Sequence, residues 1–288
     1  MSLTAEYSTL CKPRISLFAA MSGATGFILA SSRLDWELFR LMASLFVLAC
    51  GASALNQYQE RDSDAKMPRT ADRPIPSGAI QPGHALAYSA FLLCAGAGLL
   101  LMLWGIAVFA AGVCTVFWYN GVYTPLKKNT AFAIIPGALV GSAPPFIGWL
   151  AGGNGVLSRE IASLCLCFYM WQIPHVWLLM AKYGKEYEAA GLPSLSEMFS
   201  IKQSARIVFI WLLAAAAFSM LLPIYGAVTM NVTAVVLYAN AGLLVINAIR
   251  GLRDRELFLS ARALNSVNAY IMGIMLLVSF NGLTAWMF

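Results

Sequence analysis

Long runs of apolar residues recur nine times along this chain, and they constrain its fold more than any other feature. A hydrocarbon layer of about 30 Å needs roughly 20 helical residues per crossing. Charged segments or Pro and Gly residues separate the runs. The runs cover residues 15–32, 38–57, 84–103, 105–119, 132–151, 161–181, 205–223, 232–249 and 267–286. The pattern predicts an all-α polytopic membrane protein with nine transmembrane helices, forming one domain over residues 1–288.

Composition supports a membrane protein and excludes several other classes. Of the 288 residues, 60% are hydrophobic and 11% are charged, and the mean hydropathy is +0.71. A soluble domain is about half apolar and a quarter charged. A water-soluble enzyme, a disordered chain and a coiled coil are therefore excluded. The six cysteines match no zinc or disulfide spacing, and the first residues show no cleavable signal pattern, so we expect them in the mature protein.

The basic residues predict the orientation of the helices. The formal net charge is +6, which in a membrane protein reflects topology rather than nucleic-acid binding. Only Arg33, Arg40 and Arg159 lie in loops opposite the N-terminus. The other sixteen lie on the N-terminal side, and they are Lys12, Arg14, Arg61, Lys66, Arg69, Arg73, Lys127, Lys128, Lys182, Lys185, Lys202, Arg206, Arg250, Arg253, Arg255 and Arg262. Cytoplasmic loops are enriched in Lys and Arg, so we expect a cytoplasmic N-terminus and a chemically active cytoplasmic face.

The segment 56–78 carries the strongest chemical pattern. Asn56, Glu60 and Asp64 stand four residues apart and form one stripe on a helix. Like charges at this spacing repel unless a cation lies between them, and oxygen ligands suit Mg²⁺. Arg69 and Arg73 follow within ten residues and could bind phosphate. The alternative is a helix end whose charges simply reach water, but the register favours a diphosphate site. Asp62 points to the opposite face.

Two further segments lie on the same side. In the first, Pro174 predicts a kink in an apolar helix, and His175 is an intramembrane ionisable group, either functional or hydrogen-bonded to a neighbouring helix. Glu186 follows and could supply a second carboxylate for the metal. In the second, residues 119–130 predict a short basic loop in which Tyr123 and Lys127 could hold an anion, or which serves only as a topology anchor.

Together these residues resemble the UbiA superfamily of intramembrane prenyltransferases, and more narrowly its protoheme IX farnesyltransferase (heme O synthase) family. The first signature of that family is matched by Asn56, Glu60, Asp64, Met67, Arg69, Thr70, Arg73, Pro74, Pro76 and Gly78. Further matches are Tyr123, Thr124 and Lys127; Pro174, His175 and Trp177; Glu186, Tyr187, Ala190, Gly191 and Pro193; Lys12-Pro13-Arg14; and Ala261-Arg262. Glu60 and Glu186 stand where Asp is commoner.

The resemblance implies nine helices around a central cavity in the plasma (inner) membrane, and farnesyl transfer from farnesyl diphosphate to heme B. It implies Mg²⁺ as the cofactor, held by Glu60, Asp64 and Glu186 with Asn56 beside them. The diphosphate would be bound by Arg14, Arg69, Arg73, Tyr123 and Lys127, and the heme by Trp171, His175 and Trp177. Heme A synthase or terminal-oxidase assembly would be the biological partner, in the same lipid bilayer.

Two alternatives differ from this interpretation. One is a UbiA-type transferase with another acceptor, such as an aromatic quinone precursor or another tetrapyrrole. The other is a nine-helix transporter or heme-handling protein without catalysis. Transporters usually place polar residues near the middle of the membrane and contain paired repeats. Here the acidic residues gather on one surface and no repeat is evident, which favours the enzyme.

Overall fold

The computed structural model describes residues 2–156 and 158–284. In this part of the chain, nine helical segments are long and apolar enough to cross a membrane, as the sequence predicts. They are Pro13–Ser31, Trp36–Asp64, Pro82–Trp104, Ile106–Leu126, Ala131–Ala151, Arg159–Ala189, Ile201–Ile224, Asn231–Arg253 and Ala261–Thr284. The last two positions of the ninth predicted run, 285 and 286, lie outside the described residues.

The helices are numbered in chain order. The α-helices are α1 (Leu3–Leu10), α2 (Pro13–Ser31), α3 (Trp36–Asp64), α4 (Pro82–Trp104), α5 (Ile106–Val116), α6 (Thr124–Leu126), α7 (Ile134–Ala151), α8 (Arg159–Ala189), α9 (Leu195–Met198), α10 (Ile201–Ser219), α11 (Leu221–Ile224), α12 (Asn231–Arg253), α13 (Arg255–Phe258) and α14 (Ala261–Thr284). A π-helix, Phe117–Tyr123, joins α5 to α6, and a 3₁₀ turn, Ala131–Ala133, precedes α7.

The long helices pack as two rings that share a wall. One ring runs through α2, α7, α8, α10, α12 and α14 and closes back on α2. The other runs through α2, α3, α4, α5 and α7. Each ring has its own apolar core, the larger one around α8 and the smaller one around α2 and α3. Helices α2 and α7 therefore form the wall between the rings.

Glycines allow this shared wall to pack closely. A Cβ atom on Gly26 of α2 would overlap the Pro145 carbonyl oxygen of α7. A Cβ atom on Gly148 of α7 would likewise overlap the Gly23 carbonyl oxygen of α2. Small residues permit backbone-to-backbone contact between membrane helices. The α2–α7 wall is consequently too close for any larger residue at these two positions.

Helix α3 extends two turns beyond its predicted apolar run. It begins where the Asp35 side chain accepts hydrogen bonds from the amides of Glu37 and Leu38. It ends at Asp64, whose carbonyl oxygen accepts a hydrogen bond from the buried Thr70 hydroxyl at 2.9 Å. The extension carries the acidic stripe out of the apolar layer on a rigid helix.

One local prediction was wrong. The predicted basic loop is mostly helical, because the fourth span continues through the π-helix and α6 to Leu126. There the buried Asn120 donates hydrogen bonds to α3, which favours the wider π turn. Pro174 lies inside α8 as predicted, and its kink stays a prediction. The residue of α8 with non-helical dihedrals is Tyr183 (φ −112°), nine residues later.

Candidate active site

Charged and polar side chains from four segments meet at one end of the α2–α7 wall. The contributing segments are the start of α2, the end of α3, the loop after α3, and the α6 turn with the residue that follows it. The set, called the polar cluster below, consists of Lys12, Asn56, Glu60, Asp64, Arg73, Thr124 and Lys127. Successive spans cross in opposite directions, so the loops at this end are those that carry the sixteen basic residues. This end is called the basic side.

The acidic stripe lies on one face of α3, as the four-residue spacing predicts, and the structure turns that face toward the protein interior. Asn56 is 3% exposed, Glu60 6% and Asp64 1%. By contrast, the Asp62 side chain is 84% exposed and lies 3.7 Å from the Arg61 guanidinium, as expected for the opposite face of the helix. A helix end with charges reaching water would expose the stripe, so that alternative does not fit the structure.

Each buried carboxylate has its own cation. The Lys127 ammonium lies 2.6 Å from Glu60 Oε1, and Arg73 Nη1 donates a hydrogen bond to Asp64 Oδ2, also at 2.6 Å. A buried ion without a partner would be strongly destabilising. The two pairs therefore neutralise the acidic stripe and keep acidic and basic groups side by side. An anion could replace the carboxylates as the partner of the two cations, and a metal ion could replace the cations as the partner of the carboxylates.

Lys12 belongs to the polar cluster, although the sequence indicated it only as a topology charge and as part of the Lys12-Pro13-Arg14 match, not as a site residue. Its Nζ donates a hydrogen bond to Asn56 Oδ1 at 2.9 Å, and Asn56 Nδ2 donates in turn to Thr124 Oγ1 at 3.1 Å. The Lys12 backbone is left-handed (φ 44°), just before Pro13 begins α2. This unusual conformation turns the side chain toward α3. The Lys-Pro junction at the start of the first run was the available signal.

Electrostatics in the cluster favour anion binding. Burial lowers the pKa of Lys12 to about 8, with the charges of Arg73 and Lys127 acting the same way and those of Glu60 and Asp64 opposing them. Burial also lowers the pKa of Lys127, but the Glu60 carboxylate outweighs it, and the net shift is upward. An additional anion near Lys12 would relieve the repulsion among the positive charges of Lys12, Arg73 and Lys127.

Glu186 joins the first acidic segment through the loop after α3. The Arg69 backbone amide donates a hydrogen bond to Glu186 Oε2 at 3.3 Å, and the Arg69 guanidinium lies 4.8 Å from the centre of the Tyr183 ring. Met67 of the same loop is buried against the end of α8 and the segment that follows it, with Tyr187, Ala190 and Leu192 as its neighbours. The two acidic segments are thus packed together.

Other predicted residues are placed less directly. Arg14 is exposed and forms no ion pair with any described residue. Tyr123 stacks on Tyr119 with ring centres 6.0 Å apart and lies against Gly137 of α7. Glu60, Asp64 and Glu186 are not drawn into one group, since among the described residues no three His, Cys, Asp or Glu side chains are close enough to hold a metal together.

The donor set nevertheless fits a hard cation such as Mg²⁺. Glu60 and Asp64 supply carboxylate oxygens one helical turn apart, and Asn56 supplies an amide oxygen on the same face. Glu60 Oε1 is buried and, apart from its ion pair with Lys127, accepts no hydrogen bond from a described residue. A metal ion that keeps part of its water shell requires only one or two carboxylates directly.

The predicted acceptor residues divide between two faces of α8. Trp171 and His175 stack at 5.0 Å inside the larger ring, and Trp171 Nε1 donates to the Val267 carbonyl oxygen of α14 at 2.9 Å. The His175 Nδ1 atom is buried without a hydrogen-bond partner among the described residues. Trp177 is 2% exposed and packs instead between Phe132 and Trp211. Sequence spacing groups all three residues, but only Trp171 and His175 share a face.

The interior near His175 continues to the polar cluster along α2. Phe18 of α2 lies 5.5 Å from Trp171 between ring centres. Phe18 is six residues after Lys12, which corresponds to about 9 Å along a helix axis. The aromatic–histidine pair therefore lies deeper in the apolar layer than the charges, on the same side of the α2–α7 wall as α8.

Comparison with known proteins agrees with this arrangement. The UbiA prenyltransferase family matches residues 16–272 of the chain. A protoheme IX farnesyltransferase of Oleidesulfovibrio alaskensis is 34% identical over 251 residues, which cover 85% of this chain and 89% of the relative. One from Geobacter sulfurreducens is 36% identical over 225 residues, covering 78% and 83%.

A solved structure shares the fold. The UbiA homologue from Archaeoglobus fulgidus bound to GPP and Mg²⁺ superimposes with a TM-score of 0.72 at 14% identity, covering 97% of this chain and 99% of that one. This likeness supports the helical architecture, and the transporter alternative is not supported by any of these comparisons. The chain belongs to the UbiA prenyltransferase family and is an integral membrane prenyltransferase.

Proposed function

We propose that this protein transfers the farnesyl group of farnesyl diphosphate to a vinyl group of protoheme IX (heme B), with addition of water, to give heme O. The observation that carries the proposal is the buried polar cluster at one end of the α2–α7 wall, with Trp171 and His175 packed beside the same wall in the larger ring. The printed names of the relatives support the acceptor, since they are protoheme IX farnesyltransferases.

The cations of the polar cluster would bind the diphosphate. Lys12, Arg73 and Lys127 lie on the acidic stripe, and Arg69 and Tyr123 flank it. On binding, their contacts with Glu60 and Asp64 would be replaced by contacts with phosphate oxygens, which charge-assisted hydrogen bonds favour. Arg14 is exposed at the same helix start and could attract the diphosphate from solution.

Glu60, Asp64 and Glu186, with Asn56, would hold Mg²⁺, which supplies positive charge for the departing diphosphate. The Archaeoglobus fulgidus homologue bound to GPP and Mg²⁺ supports this part of the proposal. Cations held in advance where negative charge develops are an efficient means of lowering a barrier.

The reaction breaks the allylic C–O bond of farnesyl diphosphate, and the electron pair leaves with the diphosphate. The terminal vinyl carbon of the heme forms a new C–C bond with the farnesyl carbon. Water then bonds to the other vinyl carbon and releases a proton, which completes the hydroxyethylfarnesyl group. The apolar ring would exclude bulk water from the first step. Trp171 and His175 would position the macrocycle. Trp177 would hold α8 in place through its packing on the opposite face of that helix.

The proposed cellular setting is the plasma (inner) membrane, with the polar cluster facing the cytoplasm. The gathering of basic residues on the side of the polar cluster supports this orientation. Diphosphate substrates would then reach the site from the water phase. The product would pass to heme A synthase or to terminal-oxidase assembly in the same bilayer.

The test is a defined reaction followed by mass spectrometry. Purified protein is incubated with farnesyl diphosphate, Mg²⁺ and heme B, and the extracted heme is expected to gain one farnesyl group and one water. A parallel reaction contains a hydroxybenzoate-type acceptor. Prenylation of that acceptor with unchanged heme would overturn the assigned acceptor, and no product in either reaction from folded protein would overturn the function.

A further inference from the structure

A cavity lies away from the polar cluster, between α8, α10, α12, α13 and α14. Its volume is about 340 Å³. Its walls are mainly apolar, with Leu178, Val208 and Phe258 among them. The polar lining consists of Asn247, Arg250, Arg262 and Ser266, and no residue of the polar cluster contributes to it. Arg262 belongs to the Ala-Arg pair that the proposed reaction does not use.

The arginines at this cavity have no acidic partner. The five ion pairs of the described residues all lie between residues 33 and 127, so none involves α12, α13 or α14. Of the two nearby acids, Asp254 accepts hydrogen bonds from the amides of Glu256 and Leu257 and caps α13, while Glu256 is exposed. Arg250 and Arg262 therefore place uncompensated positive charge beside an apolar cavity.

The location narrows the chemistry of the ligand. Arg250 lies in the last turn of α12 and Arg262 in the first turn of α14, both on the basic side where the apolar layer ends. An occupant must combine an anionic head at this level with an apolar body directed inward. Guanidinium groups bind phosphate with two hydrogen bonds, and basic pockets between membrane helices bind lipid headgroups.

We propose that this cavity binds the phosphate headgroup and upper acyl chain of an anionic phospholipid from the leaflet on the basic side. Arg250 and Arg262 hold the phosphate, and Leu178, Val208 and Phe258 contact the chain. The bound lipid fills the space between α10, α12 and α14 and so holds these helices of the larger ring together. Val267, which lines the cavity, also accepts the hydrogen bond of Trp171 through its backbone carbonyl. This site is independent of the proposed acceptor.

The test is native mass spectrometry of the full-length protein, after detergent exchange and titration with phosphatidylglycerol or phosphatidylcholine. Wild-type protein is expected to retain one phosphatidylglycerol in preference to phosphatidylcholine. The double variant Arg250→Gln/Arg262→Gln should bind it about 30-fold more weakly, because two charges are lost. The matched control is Arg253→Gln/Arg255→Gln, which removes equal charge outside the cavity and should bind as wild type.

A second arm distinguishes the source of the phosphate. Farnesyl diphosphate is added to the lipid-bound protein, and its retention is compared between Arg250→Gln/Arg262→Gln and wild type. Unchanged diphosphate retention with weakened phospholipid binding supports the proposal. Loss of diphosphate binding in the cavity variant, equal lipid loss in both double variants, or no preference for the anionic lipid in the wild type would each overturn it.

Discussion

Asp62 and Asp64 stand two residues apart on α3, yet their surroundings differ completely. The Asp62 side chain is 84% exposed, whereas the Asp64 side chain is 2% exposed and bound to Arg73. Successive helical residues are rotated by about 100°, so positions two apart point in nearly opposite directions. Identical carboxylates are thereby divided between water and the polar cluster.

This contrast supplies a matched test of the acidic stripe. Asp64→Asn should lower the rate of farnesyl transfer by about 100-fold, because a carboxylate for the metal is lost and Arg73 loses its partner. Asp62→Asn should stay within about twofold of wild type, since that carboxylate touches only Arg61. Turnover is measured at saturating Mg²⁺ on variants with wild-type helical content. Wild-type turnover by Asp64→Asn would exclude Asp64 from the mechanism.

Lys12 gives a second prediction at this scale. Lys12→Gln should raise the KM for farnesyl diphosphate about tenfold with a smaller effect on kcat, because one charged contact to the diphosphate is lost. The control is Lys202→Gln, which removes an exposed charge on the same side at the start of α10. Steady-state kinetics with varied diphosphate separate the two constants. An unchanged KM in Lys12→Gln would remove Lys12 from the binding site.

Residue spacing within one helix was predictable, and contacts between segments were not. The four-residue register correctly placed Asn56, Glu60 and Asp64 on one face of a helix, and the structure shows that this face is buried. The partners of that stripe, Lys12 and Lys127, come from distant parts of the chain and depend on how helices pack. Trp177 shows the same limit, since its motif does not reveal that it faces Trp211 and not His175.

Among the elements, the α2–α7 wall positions the site. It carries Lys12 at the start of α2 and places Phe18 against Trp171. Apolar runs predicted both helices, but not the contact through Gly26 and Gly148, because hydropathy carries no information on which helices touch. Likewise, the π-helix accompanies the hydrogen bonds of Asn120 to α3, so periodicity alone could not predict it.

Gly148→Ala tests this wall. The added methyl would overlap the Gly23 carbonyl oxygen, so the helices must separate, and we expect a loss of about 1–3 kcal/mol in unfolding free energy. Gly242→Ala is the control, because no atom lies within 4 Å of its added Cβ and alanine favours helix. Thermal unfolding in one detergent compares the variants. Equal stability of both variants would show that the wall tolerates separation.

At the scale of the whole molecule, two rings sharing one wall require α2 and α7 to touch more neighbours than the outer helices do. This matches their small residues and contrasts with α4, whose exposed Leu and Phe side chains suit contact with lipid. The nine crossings were predictable because apolar length has a physical threshold set by the bilayer. The choice of neighbour for each helix depends on side-chain shape along the whole chain. A hydropathy pattern carries no information on that shape.

Nine crossings place opposite ends of the chain on opposite sides, and the sixteen-to-three distribution of basic residues predicts which side is the cytoplasm. Asn154 is exposed on the side that carries only three basic residues, and Lys66 is exposed on the basic side. Each is replaced by cysteine in a separate variant. In intact cells, a membrane-impermeant maleimide should label Asn154→Cys, and it should label Lys66→Cys only after permeabilisation. The unsubstituted protein measures labelling of the native cysteines. The reverse labelling pattern would show that the orientation is the opposite one. The polar cluster would then face the outside of the cell, away from a cytosolic supply of diphosphate substrate.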